Sequence, residues 1–163
     1  HHAQVKSFKT LKTGGIAISS SYIRKLILRG ELGLARRLLL RHVAVYGDVV
    51  RGTGRGTGLG FPTANIDPHH EITPPAGIYA VRVFWGSQSS GGICYIGTRP
   101  TYGRRCKDRV IEVHIFNFRR NLYGDHIEAQ FIKKIRDQKK FSSEAALAHQ
   151  ISLDIEKARA FLK

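Results

Sequence analysis

The sequence is short of acids, short of cysteine and free of long apolar runs. Of its 163 residues, 12 are Asp or Glu against 27 Lys or Arg, a formal net charge of +15. Such an excess points to anionic partners, either nucleic acid or a nucleoside triphosphate. It also suits solvated faces, or a surface packed on another domain. Two cysteines, Cys94 and Cys106, make neither a metal cluster nor a secreted disulfide framework. No stretch is apolar enough to span a bilayer, and no apolar signal-peptide core stands near the start. The expected setting is reducing and cytoplasmic, with no membrane partner. The apolar share, 42%, suffices for one packed domain with an appended piece.

Glycine is concentrated in one place. Residues 52–65 read Gly-Thr-Gly-Arg-Gly-Thr-Gly-Leu-Gly-Phe-Pro-Thr-Ala-Asn. Repeated glycines can turn several backbone N–H groups toward one anion, and Arg55 adds a fixed charge. A flexible connector is the plain alternative. The spacing is neither the dinucleotide fingerprint nor a Walker A loop. Pro62 biases Phe61 toward an extended backbone. If the extension continues, Thr63 and Asn65 share a side. Their hydroxyl and amide oxygens are of the kind that hold Mg²⁺ beside nucleotide phosphates.

The remaining pattern is mostly β. Gln4 to Lys12 is a candidate extended segment, ended by Gly14-Gly15. Ser19 to Ser21 offer caps for a helix ended by Gly30, and Leu34, Ala35 and Leu38 form the stripe of a second short helix. Strands are expected over Val43–Arg51, Gly77–Trp85, Ile93–Ile96, Val110–Phe118 and from Ile127 to Lys133, with a turn over Gly86–Gly92. His69, His70 and Glu71 read as an exposed loop rather than a metal site. Leu147, Ile151, Ile155, Ala158 and Leu162 line one face of a last helix, capped by Ser142 or Ser143. Short strands with turn signals and no βαβ rhythm argue an antiparallel sheet or small barrel.

One strand carries a chemical group at its centre. Ile111, Val113 and Ile115 point one way, toward the core; Glu112 and His114 point the other. Pattern alone leaves Glu112 as either a surface carboxylate on a wet sheet face or a general base in a partly enclosed site. His114 reads as structural.

Several of these segments, in order, resemble the kinase module of the bacterial bifunctional riboflavin kinase/FAD synthetase family. Residues 52–65 match its glycine loop running into Gly-Phe-Pro-Thr-Ala-Asn, with Thr57 where the family often has a second Arg. Ile96 to Thr101 resembles its Ile-Gly-x-Arg-Pro-Thr segment, and Ile111 to His114 its Ile-Glu-Val-His. Leu122-Tyr123-Gly124 is retained, whereas Asn117, Arg119 and Asn121 replace acids. Ile135 to Phe141 resembles Ile-Arg-x-x-x-Lys-Phe. Ile18 to Arg24 resembles a motif near the end of the adenylyltransferase domain, with Ser21 in place of Thr.

The resemblance implies a six-stranded antiparallel Greek-key barrel over residues 43–163, with the long C-terminal helix packed outside. A short helical hairpin in residues 1–42 would be the remnant of an adenylyltransferase domain. It implies riboflavin kinase activity in FMN and FAD biosynthesis, with ATP and riboflavin as substrates, ADP and FMN as products, and Mg²⁺ as cofactor. Glu112 would be the catalytic base. Gly54, Arg55, Gly56, Gly58, Gly60, Thr63 and Asn65 would bind ATP, with Thr63 and Asn65 also on the metal. Phe61, Tyr123, Gly124 and Arg136 would bound the flavin. FMN adenylylation is not expected from this chain alone. The rival is a basic β-barrel that binds nucleic acid and catalyses nothing. Its weakness is that the basic residues are dispersed and the aromatics fall on expected core faces.

Overall fold

A computed structural model of the chain describes residues 9–52, 54–69, 71–98 and 109–163. Cys106, His70, the basic residues 104–107, the Arg-Pro-Thr segment at 99–101 and the Arg55 side chain lie outside what it describes.

The elements in chain order are β1 (Lys12–Thr13), β2 (Ile16–Ala17), α1 (Ser20–Arg29), α2 (Leu32–Leu39), β3 (Ala44–Val50), α3 (Arg55–Gly58), β4 (Ala64–Asp67), β5 (Gly77–Trp85), β6 (Gln88–Thr98), β7 (Arg109–Ile115), β8 (His126–Arg136) and α4 (Glu144–Phe161). Strands β3 to β8 close a barrel in the order β3-β4-β7-β6-β5-β8, every pairing antiparallel. Strands β5, β6 and β7 follow one another by adjacent pairing, and β8 returns to lie beside β5. That is the Greek-key arrangement. The family-based expectation of the barrel and its outer helix therefore holds.

Period-two patterning builds two apolar layers. Inward side chains such as Val45, Tyr79, Val81, Ile111, Val113, Ile127 and Phe131 fill the barrel. Tyr79, wholly buried, turns its hydroxyl to the Pro75 carbonyl at 2.7 Å. The hairpin α1–α2 closes one end, with Leu26, Ile27 and Ala35 joining the same core. Ser19 caps α1 through the Tyr22 N–H, and Gly30 ends it at φ 77°. The second layer lies outside the barrel wall. Ile78, Ala80, Ile93 and Phe116 face outward there and meet Ala158, Ile151, Ile155 and Leu162 of α4. Ser143 caps α4 through the Ala146 N–H.

Three local expectations change. The turn expected over Gly86–Gly92 shrinks to Gly86-Ser87, because Trp85 pairs directly with Gln88. Gly91 and Gly92 are strand residues instead. A Cβ at Gly91 would lie 3.0 Å from Leu162, and one at Gly92 only 2.6 Å from the His114 carbonyl oxygen. These glycines mark close approach rather than a turn. The strand expected to reach Phe118 stops at Ile115, where Asn117 takes φ 55°. In β8 the alternation expected through Lys133 slips at irregularities opposite Ala80/Val81 and Ile78/Tyr79.

Candidate active site

One row of outward positions crosses the barrel wall. Asn65 of β4 pairs with Glu112 of β7, Glu112 with Tyr95 of β6, Tyr95 with Ile78 of β5, and Ile78 with Arg136 of β8. Opposed side chains on adjacent strands stand about 5 Å apart. The fold thus sets an amide, a carboxylate, a phenol, an apolar side chain and a guanidinium side by side. Over Glu112, Tyr95, Ile78 and Arg136 of this row opens a cleft of about 780 Å³, whose lining does not include Asn65; its size is within the range of small-molecule sites. Leu59, Phe61 and Thr63 form one wall, and residues 138–144 with α4 form the other.

The loop between β3 and β4 is more ordered than a glycine-rich connector. Residues 55–58 make a short helical turn. The amides of Gly58, Gly60 and Phe61 donate to Gly54, Thr57 and Gly56 carbonyls respectively. Gly54 and Gly60 sit at φ 71° and 84°, where glycine is favoured. Two other glycines make room for side chains. A Cβ on Gly56 would fall 2.5 Å from the Phe61 carbonyl oxygen and 3.1 Å from Thr63 Oγ1; one on Gly52 would fall 2.0 Å from Asn65 Nδ2. The loop is therefore shaped around the hydroxyl and amide that the sequence singled out. Their hard oxygen donors beside a carboxylate suit a divalent cation shared with phosphate groups.

Glu112 is half-buried, and its charge reaches the groups around it. Burial pushes the Cys94 thiol up, and Glu112 adds to that. Tyr95 is likewise raised, first by burial and then by Glu112, against a hydrogen bond from Gln138. His114, two residues on, holds the Pro62 carbonyl through Nδ1 at 2.8 Å and meets Phe61 edge-on. It ties the exit of the glycine loop to β7, which fits its expected structural part.

The flavin-side expectations separate. Phe61 and Arg136 line the cleft, whereas Tyr123 and Gly124 are not among its lining residues. Tyr123 is 55% exposed, and the Gly124 amide donates to the Val49 carbonyl beside β3. Arg136 is held by Asp154 of α4: Nε lies 3.0 and 2.9 Å from its two oxygens and Nη2 2.7 Å from Oδ2. Asp154 is 1% exposed and also accepts from Gln150. Asp154, Tyr95 and Gln138 join the site without a sequence motif that marks them. For Asp154 a signal existed: an acid standing three residues after Ile151 and four before Ala158, on the apolar stripe of its own helix. The segment after β8 carried no pattern that would place it over a cleft.

A second depression of about 660 Å³ lies over β3, β5 and β8, between Tyr46, Phe84 and His126. It shares no lining residue with the cleft over Glu112. His69 and Glu71 lie outside helices and strands: the His69 ring pairs with Asp48 at 3.1 Å, and the Glu71 carboxylate accepts from the Tyr46 amide at 3.0 Å.

The model of the riboflavin kinase (flavokinase) family matches residues 39–162. The chain belongs to the riboflavin kinase family. Among curated relatives, the bifunctional riboflavin kinase/FMN adenylyltransferase of Buchnera aphidicola (subsp. Schizaphis graminum) is 45% identical over 142 residues, 86% of this chain and 46% of the relative. The protein of the same description from Escherichia coli K12 is 39% identical over 159 residues, 96% and 50%. The chain thus spans about half the length of these riboflavin kinase relatives. A crystal structure of a macrolide-efflux protein from Streptococcus pneumoniae superimposes with a TM-score of 0.82 at 32% identity, covering 92% of this chain and 49% of that one. Among the described residues, no helix is long and apolar enough to cross a membrane.

Proposed function

We propose that the chain is a riboflavin kinase, transferring the γ-phosphoryl group of ATP to the 5′-hydroxyl of riboflavin to give FMN and ADP. The observation that carries this reading is the position of Glu112, which lines the cleft beside Tyr95 and is paired in register with Asn65 on its other side. Phosphoryl transfer needs positioning and charge neutralisation more than covalent participation. Glu112 accepts the proton of the attacking hydroxyl. Thr63 and Asn65 hold phosphate oxygens and a divalent cation, Mg²⁺, which when bound offsets negative charge on the transferring group. Gly54, Arg55, Gly56, Gly58 and Gly60 shape the phosphate side. Phe61 and the Arg136 wall bound the flavin; Tyr123 and Gly124, outside the cleft lining, are not part of this pocket. Residues 43–163 form the kinase unit and 1–42 the end of an adenylyltransferase domain, in a cytoplasmic protein of FMN and FAD synthesis.

The test is conversion of riboflavin by the chain with ATP and Mg²⁺, the flavins being separated by chromatography. FMN formation should require both ATP and metal. Glu112→Gln should retain the fold and ATP binding while turnover falls about 10²- to 10⁴-fold. Wild-type turnover in that variant removes the base assignment, and absence of FMN with the wild type removes the kinase. Binding of a random oligonucleotide that weakens steeply with salt, without any FMN, would favour the nucleic-acid alternative instead.

A further inference from the structure

Tyr95 lies down along its own strand. An ideal Cβ on Gly97, two residues on and on the same face, would stand 2.2 Å from the Tyr95 hydroxyl oxygen, 2.4 Å from Cζ and 2.6 Å from Cε1. The ring therefore occupies the space that any other residue at 97 would fill. The ring lies close against Gly97 and lines the cleft. The hydroxyl is fixed from the side by Gln138, whose Nε2 donates to it at 2.9 Å. Ile78 and Ile93 of the adjoining positions line the same cleft. The result is a flat aromatic floor between apolar walls, held against rotation at its far end.

The row also says which substrate meets this floor. Glu112 must touch the hydroxyl that is phosphorylated. On one side of it stand Asn65 and the glycine loop, the phosphate side. Tyr95 stands on the other side, where the rest of the phosphoryl acceptor has to lie. We propose that Tyr95 is the stacking platform for the tricyclic ring of the flavin, a specificity-determining residue whose ring is positioned by Gly97 and Gln138. This rests on the kinase reading above and deepens it. Offset stacking of aromatic rings favours this geometry. Burial, and then the charge of Glu112, raise the phenol above its ordinary value, so it stays neutral at the pH of the assay.

The experiment is a riboflavin titration followed by flavin fluorescence, run beside the FMN assay. An electron-rich phenol stacked on an excited flavin quenches it, and a phenyl ring does not. Riboflavin should lose fluorescence on binding the wild type. Tyr95→Phe should bind it within about threefold of wild type while most of the fluorescence persists. Tyr95→Leu should bind about two- to tenfold more weakly, with ATP affinity unchanged. Gly97→Ala should weaken riboflavin binding and relieve the quenching although Tyr95 is present. Equal quenching in the wild type and Tyr95→Phe, or wild-type riboflavin affinity in Tyr95→Leu, overturns the platform and leaves the kinase reading standing. A loss of ATP affinity in Tyr95→Leu would assign the floor to the adenine ring and overturn it equally. A wild type that binds no riboflavin overturns both.

Discussion

Removing the Asp154 carboxylate should destabilise the protein more than any other single surface-distant charge change near the cleft. In the native fold this carboxylate is 1% exposed. It meets Arg136, whose side chain is 17% exposed, and the Gln150 amide at 3.0 Å. Asp154→Ala leaves the guanidinium enclosed against α4 without its counter-charge and opens a small void. Breaking a buried pair from one side costs about 3–5 kcal/mol. Arg136 keeps some solvent contact and a bond to the Asp137 carbonyl, which places the expected loss near the low end, about 3 kcal/mol. For a domain of this size each kcal/mol moves Tm by about 2–4 °C, so the melt should fall by about 6–12 °C. Calorimetry with a matching urea titration measures it. The paired replacement Arg136→Met with Asp154→Leu should regain most of the loss, since two apolar groups of similar volume leave no uncompensated charge. A melt of Asp154→Ala within about 2 °C of wild type, less than 1 kcal/mol of change, would refute the reasoning. So would a paired variant less stable than the single one.

Gly52→Ala should lower Mg·ATP affinity about tenfold, because its methyl would fall 2.0 Å from Asn65 Nδ2 and displace that amide; the stability cost should stay within about 1–3 kcal/mol. Calorimetric titration with the nucleotide, beside a urea melt, separates the two effects. His114→Phe removes the bond to the Pro62 carbonyl, so about 1 kcal/mol of stability should be lost and KM for ATP should rise as Thr63 loses its support. Tyr79 is pushed up to about 12, chiefly by burial. Its folded value lies above its ordinary value of 10, so the native state holds its proton more tightly. The stability it contributes is intact below pH 10 and is lost as pH rises toward 12; urea midpoints measured from pH 8 to 11 should fall at the alkaline end, and less so in Tyr79→Phe.

Much of the β pattern was readable because alternation is local. Gly77–Trp85 was expected residue for residue, since its inward side chains are apolar and its turn residues sit at its ends. The α4 stripe, the Ser143 cap and the Gly30 stop are likewise local features. Where expectations slipped, distant parts of the chain were responsible. Gly91 and Gly92 look like turn residues until Leu162, Phe116 and the His114 carbonyl are seen to need their missing side chains. The glycine loop looks like an open array of amides until its own carbonyls take up those of Gly58 and Gly60.

The candidate site divides the same way. Which side chains bear chemistry, the outward direction of Glu112 and His114, and the shared side of Thr63 and Asn65 are readable within one segment, because period two follows from backbone geometry there. That Asn65, Glu112, Tyr95, Ile78 and Arg136 form one row, that Asp154 anchors its end, and that Tyr123 lies outside the cleft lining emerge from the fold alone. Those facts depend on strand register and on the packing of α4 against the barrel. Both are set by how the whole closed barrel buries its apolar side chains, a quantity that no single stretch of the chain contains.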